Sequence, residues 1–256
     1  MNRLDWTRFA WPVVGVLGLL ALWQALCVAW AIPQSVLPTP VQVVQALVKH
    51  WHALVTEGWV TLKATLYGFA LALLVGIPLA VAVSTFRWVN LTFYPLLVGL
   101  QSVPKVALAP ILLVWLGTGL SSKLALAWLV AFFPIVVDTA AGLQSTPKEL
   151  LELARSLRAS RWQVFRMVRF PAALPFVITG AKVAVTLALI GVVIGEFVGA
   201  GEGLGFLLLS ATSQINTALA FAALLVLSVL GMLVYFLVVL LERALSAWLP
   251  PAPPSH

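Results

Sequence analysis

Two ionisable residues stand inside long apolar stretches of this sequence, Lys105 and Glu196. A charge at the middle of a bilayer costs roughly 2.5–3.5 kcal/mol on insertion scales, so each requires a partner, water or a functional use. Lys105 follows Pro104, whose missing N–H leaves a local break in backbone bonding. There its ammonium can line a pathway and attract an anion, or pair with a carboxylate. Gln214 is a further pathway candidate. Asp138 and Lys182 sit nearer the ends of their apolar runs, where a charged head can snorkel to the interface. Catalytic chemistry finds little support. His50 and His52 flank Trp51 with no carboxylate or cysteine beside them, a weak metal site. No H-E-x-x-H or G-x-S-x-G occurs. The run Gly199-Ala200-Gly201-Glu202-Gly203-Leu204-Gly205 fails G-x-G-x-x-G in every register and reads as an external turn re-entering the membrane.

These residues are carried by membrane-spanning helices. Of 256 residues, 62% are hydrophobic and 9% charged, against about 45–50% and 25% in soluble domains. Such a chain cannot coat a water-soluble fold, which excludes a cytosolic enzyme and a DNA-binding domain. Runs of spanning length lie at about 11–31, 62–85, 93–115, 122–143, 173–198 and 218–241. The first competes with a signal peptide, since Ala29-Trp30-Ala31 mimics a cleavage site, but it exceeds the roughly 7–15 residues of a signal core. The net charge of +7 implies no nucleic-acid partner here, because basic residues at span ends mark the cytoplasmic side. Arg3, Arg8, Arg87, Lys148, Arg155, Arg158, Arg161, Arg166, Arg169 and Arg243 fall on one side, and Lys49, Lys63 and Lys123 on the other. Both termini are therefore expected in the cytoplasm. In the first external loop, Val41–Leu47 has the pattern of a short interfacial helix. Cys27, the single cysteine, excludes an intrachain disulfide, and the proline-rich tail 250–254 reads as a frayed end, as does His256. Gly191, Gly195 and Gly199 recur every four residues, the spacing of close helix packing, either within one subunit or across a dimer.

Most of the soluble surface lies in one basic loop at about 145–171. Thr146-Pro147-Lys148-Glu149 reads as a capping box with proline at the first helical position, and Ser160-Arg161-Trp162-Gln163 as a second. Leu150, Leu153, Ala154 and Leu157 recur at helical spacing after the first box, Val164, Phe165 and Val168 follow the second, and Pro171 marks the entry to the next span. The expectation is two short amphipathic helices joined at Arg158-Ala159. Such a loop suits docking to a partner or lying on anionic headgroups, and pattern alone does not separate the two.

Glu152-Leu153-Ala154, continuing to Val168-Arg169-Phe170-Pro171, resembles the coupling signature of ATP-binding-cassette importer permeases. Glu152, Ala154 and Pro171 match its positions; Leu153, Val168 and Phe170 are apolar replacements. Arg158 stands where the signature has glycine, at a helix end that favours left-handed backbone. Pro104–Pro110 through Trp115-Leu116-Gly117, with Phe132-Phe133-Pro134, Leu174-Pro175, Gly180-Ala181-Lys182 and Glu196, resembles the nitrate, sulfonate and taurine branch of binding-protein-dependent permeases.

The resemblance implies an all-α membrane protein of the type I ABC importer permease fold: about six transmembrane helices in one permease domain over residues 1–256, with its core at about 60–245. It implies a multi-pass bacterial inner-membrane subunit that works with cytoplasmic ABC ATPase subunits, an extracytoplasmic solute-binding protein and a second permease copy, surrounded by membrane lipid. It also implies that Glu149, Glu152, Leu153, Ala154, Leu157, Arg158, Ser160 and Pro171 belong to the ATPase-coupling loop. No G-x-x-x-x-G-K-[ST] is present, nor any Lys-Ser or Lys-Thr pair, so the chain is not expected to hydrolyse ATP by that route or to hold a cofactor. The expected cargo is a small anion such as a sulfonate, taurine or nitrate, with a thiamine-pyrimidine-like vitamin precursor as the alternative. An ion-coupled secondary carrier is the competing class; it predicts inverted repeats and clustered midplane charges, and the sequence displays neither.

Overall fold

A computed structural model describes residues 6–199 and 201–245. The calls on Arg3, on the tail 250–254 and on His256 lie outside the described residues. Every regular element among these described residues is helical: α1 (Trp6–Ala29), α2 (Pro40–Lys49), α3 (Trp51–Thr85), α4 (Arg87–Gln101), a 3₁₀ turn (Lys105–Leu108), α5 (Ala109–Leu116), α6 (Leu120–Gln144), α7 (Lys148–Ser156), α8 (Arg161–Val164), a π-helical turn (Phe165–Arg169), α9 (Phe170–Gly199), α10 (Leu204–Ser213) and α11 (Thr217–Leu245).

Among the described residues, five helical stretches are long and apolar enough to cross a bilayer, starting with α1, α3 and α6, then residues 161–199 and α11. The third predicted span is not straight. Its two parts, 87–101 and 105–116, are bent by 89°, and counting the pair as one span gives six. The break falls at Pro104, which lacks the amide that would continue the ladder. Helix α3 begins at Trp51 rather than near 62, because Glu57 and Lys63 end the apolar run without breaking the helix.

Helices α3, α6 and α9 form the centre, with α11 packed against α9 and α2. Small residues let their axes approach. A β-carbon built on Gly68 would stand 2.3 Å from Cβ of Ala127, and one on Gly191 would stand 2.8 Å from Cα of Ala127. The Gly191–Gly195–Gly199 stripe therefore packs within the chain: Gly191 and Gly195 face α6 and Gly199 faces Leu113 of α5. The interfacial helix expected at Val41–Leu47 is α2, held by a capping box between Thr39 and Gln42. Cys27 is buried near the end of α1.

Candidate functional site

The loop between α6 and α9 is built as two braced turns. Helix α7 does not start from a capping box. Pro147 takes the cap position without a side-chain hydrogen bond, and Thr146 Oγ1 instead donates to the Leu143 carbonyl at 3.2 Å. Thr146 is buried under the end of α6, so its hydroxyl finishes that helix rather than opening the next. The second box is present: Gln163 N–H donates to Ser160 Oγ, and Ser160 N–H donates to Gln163 Oε1 at 2.7 Å. Between them α7 closes with a paired turn in which Ala159 N–H bonds to the Ala154 carbonyl and Arg158 N–H to the Arg155 carbonyl. Arg158 holds φ +52°, so the chain adopts the glycine-type turn at a cost of about 1–2 kcal/mol.

This bracing fixes what α7 presents. Ala154 is 7% exposed and seats the helix against the body. Leu150, Leu153 and Leu157 are 44%, 56% and 73% exposed, an apolar stripe at i, i+3, i+7 facing away from the chain. Glu149 and Glu152 are exposed on the same helix. Pro171 does not interrupt the polypeptide, because one continuous helical stretch runs from Arg161 to Gly199. The wider turn just before it, closed by Phe170 N–H to the Phe165 carbonyl, re-phases the ladder where proline has no amide to give.

The three pathway candidates lie apart. Lys105 is half-buried beside a cavity of about 430 Å³ that Gln101, Phe133, Asp138, Val183 and Leu187 also line. Its ammonium donates to the Gln101 carbonyl at 3.1 Å and lies 4.7 Å from the centroid of the Phe133 ring, a cation–π contact. Asp138 thus faces this cavity rather than the interface. Lys182 pairs with Glu242 at 2.6 Å, tying α9 to α11.

Glu196 lies elsewhere, 1% exposed. Its carboxylate accepts from Thr61 Oγ1 at 2.9 Å and from Gly205 N–H at 2.8 Å. Around it, Thr61 Oγ1 accepts from Leu204 N–H, Glu57 accepts from Gly203 N–H, and the buried Lys123 donates to the carbonyl and carboxylate of Glu202. The cluster clamps the 201–205 turn and α10 onto α3 and α6. Gly203 has φ +105°, and a β-carbon there would lie 2.0 Å from Glu196 Oε1. Gln214 is exposed and closes α10, its amide donating to Ser210 Oγ. Sequence reasoning placed Lys123 on the external face; its burial beside Glu196 was signalled only by two opposite charges just inside the outer ends of neighbouring spans. Among the described residues no group of three or more His, Cys, Asp or Glu is placed to hold a metal ion.

Comparison with known proteins agrees with this architecture. The riboflavin transport system permease of Chloroflexus aurantiacus is 38% identical over 94% of this chain and 92% of its own. The formylaminopyrimidine transport permease of Halalkalibacterium halodurans is 36% identical over 93% and 95%. The taurine transport permease of Escherichia coli is 30% identical over 96% and 94%. Among solved structures, a chain of the MetNI methionine ABC transporter in an inward-facing conformation superposes with a TM-score of 0.67 at 24% identity, over 77% of this chain and 97% of that one, and so shares the fold. The family description of binding-protein-dependent transport system inner membrane components matches residues 72–247. These matches set aside the ion-coupled carrier: the chain belongs to the family of binding-protein-dependent transport system inner membrane components, as a multi-pass ABC importer permease.

Proposed function

We propose that this subunit forms half of a translocation pathway, paired with a second copy of itself, and takes its energy from separate ATPase subunits that dock on α7. The observation that carries this reading is the exposed Leu150–Leu153–Leu157 stripe on a helix whose position is fixed by Ala154 and by the turn at Arg158. An apolar stripe in water is costly at about 25 cal/mol per Å², and a groove on a partner relieves it. Glu149 and Glu152 flank the stripe and give the contact a polar rim. A solute-binding protein delivers cargo on the opposite face, and ATP-driven closure moves the loops together as a rigid-body transition between two states. Leu153→Asp, co-expressed with its ATPase and binding protein, is expected to leave the permease in the membrane and abolish substrate-stimulated ATP hydrolysis. Wild-type stimulation in that variant would refute the docking assignment.

For the cargo, the cavity beside Lys105 favours a small planar nitrogen heterocycle of the riboflavin or aminopyrimidine kind. Lys105 and Asp138 offer a donor and an acceptor for a heterocycle's edges, and Val130, Val183 and Leu187 give apolar walls for its faces. The relatives at 38% and 36% identity, named for such compounds, support this reading. An anion such as taurine, a sulfonate or nitrate is the second reading, favoured by Lys105 and opposed by Asp138 in the same cavity. Uptake by proteoliposomes of the assembled importer, with labelled aminopyrimidine and labelled taurine in turn, separates them; Lys105→Gln reduces uptake of an anion more than of a neutral heterocycle.

A further inference from the structure

A second cavity, of about 550 Å³, opens where the loop meets the end of α3, lined by Thr85, Leu151, Arg155, Arg161, Phe165 and Arg169 among others. It plays no part in the pathway or the docking stripe. Its three arginines come from three consecutive elements: Arg155 from the end of α7, Arg161 from the start of α8 and Arg169 from the π-helical turn. No acidic side chain lines it. None of the three guanidiniums has an ion-pair or hydrogen-bond partner within the described residues, and Nε of Arg169 is buried with nothing to donate to. A buried donor left unsatisfied is costly, so Nε of Arg169, with the exposed and unpaired guanidiniums of Arg155 and Arg161 lining the same cavity, calls for an acceptor from outside the chain.

The chemistry selects that acceptor. Guanidinium forks match the tetrahedral oxygens of a phosphate and bind it in paired, charge-assisted hydrogen bonds. Leu151, Val164 and Phe165 add an apolar wall. On the same segment Trp162 and Met167 are 66% and 74% exposed, on a helix that continues into the bilayer as α9. A ligand that is phosphate at one end and hydrocarbon at the other fits both features, at the depth where the cytoplasmic leaflet places its headgroups.

We propose that the Arg155–Arg161–Arg169 cavity binds a phosphate group, that of an anionic phospholipid headgroup, and that the bound lipid ties α7, α8 and the π-helical turn into one unit. The site lies wholly within this chain and depends neither on the identity of the cargo nor on the ATPase contact. The test uses the full-length chain in phosphatidylcholine nanodiscs with added phosphatidylglycerol, and reads lipid retained after detergent extraction by native mass spectrometry. Phosphatidylglycerol should be retained by the wild type and by Arg166→Gln, which removes a neighbouring charge outside the cavity. It should fall by about fivefold or more in Arg155→Gln and in Arg169→Gln, from about 1 kcal/mol per arginine near the membrane surface. Arg155 is exposed on its helix, so its variant keeps the test independent of folding, checked by circular dichroism. A parallel arm replaces the lipid with millimolar inorganic phosphate in pure phosphatidylcholine and follows the melting temperature. Stabilisation of the wild type but not of Arg155→Gln by phosphate alone, without lipid retention, would overturn the lipid source. Equal phosphatidylglycerol retention in all four proteins would overturn the site.

Discussion

Gly203→Ala tests the clamp around Glu196 most directly. At φ +105° and ψ 162° an alanine is strained, by about 1–3 kcal/mol for a backbone region that is essentially glycine-only. Its methyl would also lie 2.0 Å from Glu196 Oε1, an overlap of the kind that costs about 1–3 kcal/mol when a packed site must shift. The combined cost is about 2–6 kcal/mol, toward the upper end because a displaced carboxylate forfeits the hydrogen bonds from Thr61 and Gly205. Gly201→Ala is the internal control, since a β-carbon at Gly201 meets nothing within 4 Å. Thermal denaturation of the purified chain, followed by loss of monodispersity in detergent, should rank Gly203→Ala well below Gly201→Ala. Combining Gly203→Ala with Glu196→Ala removes the clash, so the double variant should lose less than the sum of the singles, with a coupling of roughly 0.5–3 kcal/mol. Equal melting of the two glycine variants, or strict additivity with Glu196→Ala, would show that the turn does not rest against that carboxylate.

Ser160→Ala should destabilise α8 by about 1 kcal/mol through loss of its cap, read as faster amide exchange at residues 161–164, whereas Thr146→Ala should leave exchange in the first turn of α7 unchanged, because Thr146 does not cap it. Arg158→Gly should raise the melting temperature slightly, recovering part of the roughly 1–2 kcal/mol of left-handed strain, and Arg158→Val should lower it. Gly191→Ala should cost about 1–3 kcal/mol, since the new methyl meets backbone of α6 rather than a side chain able to swing away; an unchanged melt would mean α6 and α9 are further apart than described.

Apolar runs of bilayer length announced the spans because hydropathy needs no partner to be read. The loop was legible for a related reason: capping is local, and Ser160 and Gln163 find each other three residues apart. Thr146 failed the same rule because a helix just upstream offered its hydroxyl a carbonyl at Leu143, a competition that spacing does not reveal. The left-handed turn at Arg158 was read from position and not from residue type, and the paired hydrogen bonds of the turn outweigh the side chain's preference. What could not be read was long-range. Glu196 and Lys105 looked alike as lone charges in grease, yet one is locked by a hydroxyl 135 residues away as well as by a nearby backbone amide and the other faces open volume. Nothing periodic in the sequence links Thr61 to Glu196, or Arg169 to Thr85.

The interlocked pair α6 and α9 has a mechanical meaning. The loop joins their cytoplasmic ends, the Asp138 and Val183 cavity lies between their middles, and Lys123 and Glu196 sit at their outer ends. With backbone of one pressed into glycines of the other, the two cannot slide past each other and must swing together. At about 1.5 Å per residue, the 30 residues of α9 form a rod of about 45 Å. A tilt of about 10° about one end would carry the other by about 8 Å, so a modest displacement of the loop becomes a large one at the outer turn, delivered through a single stiff strut.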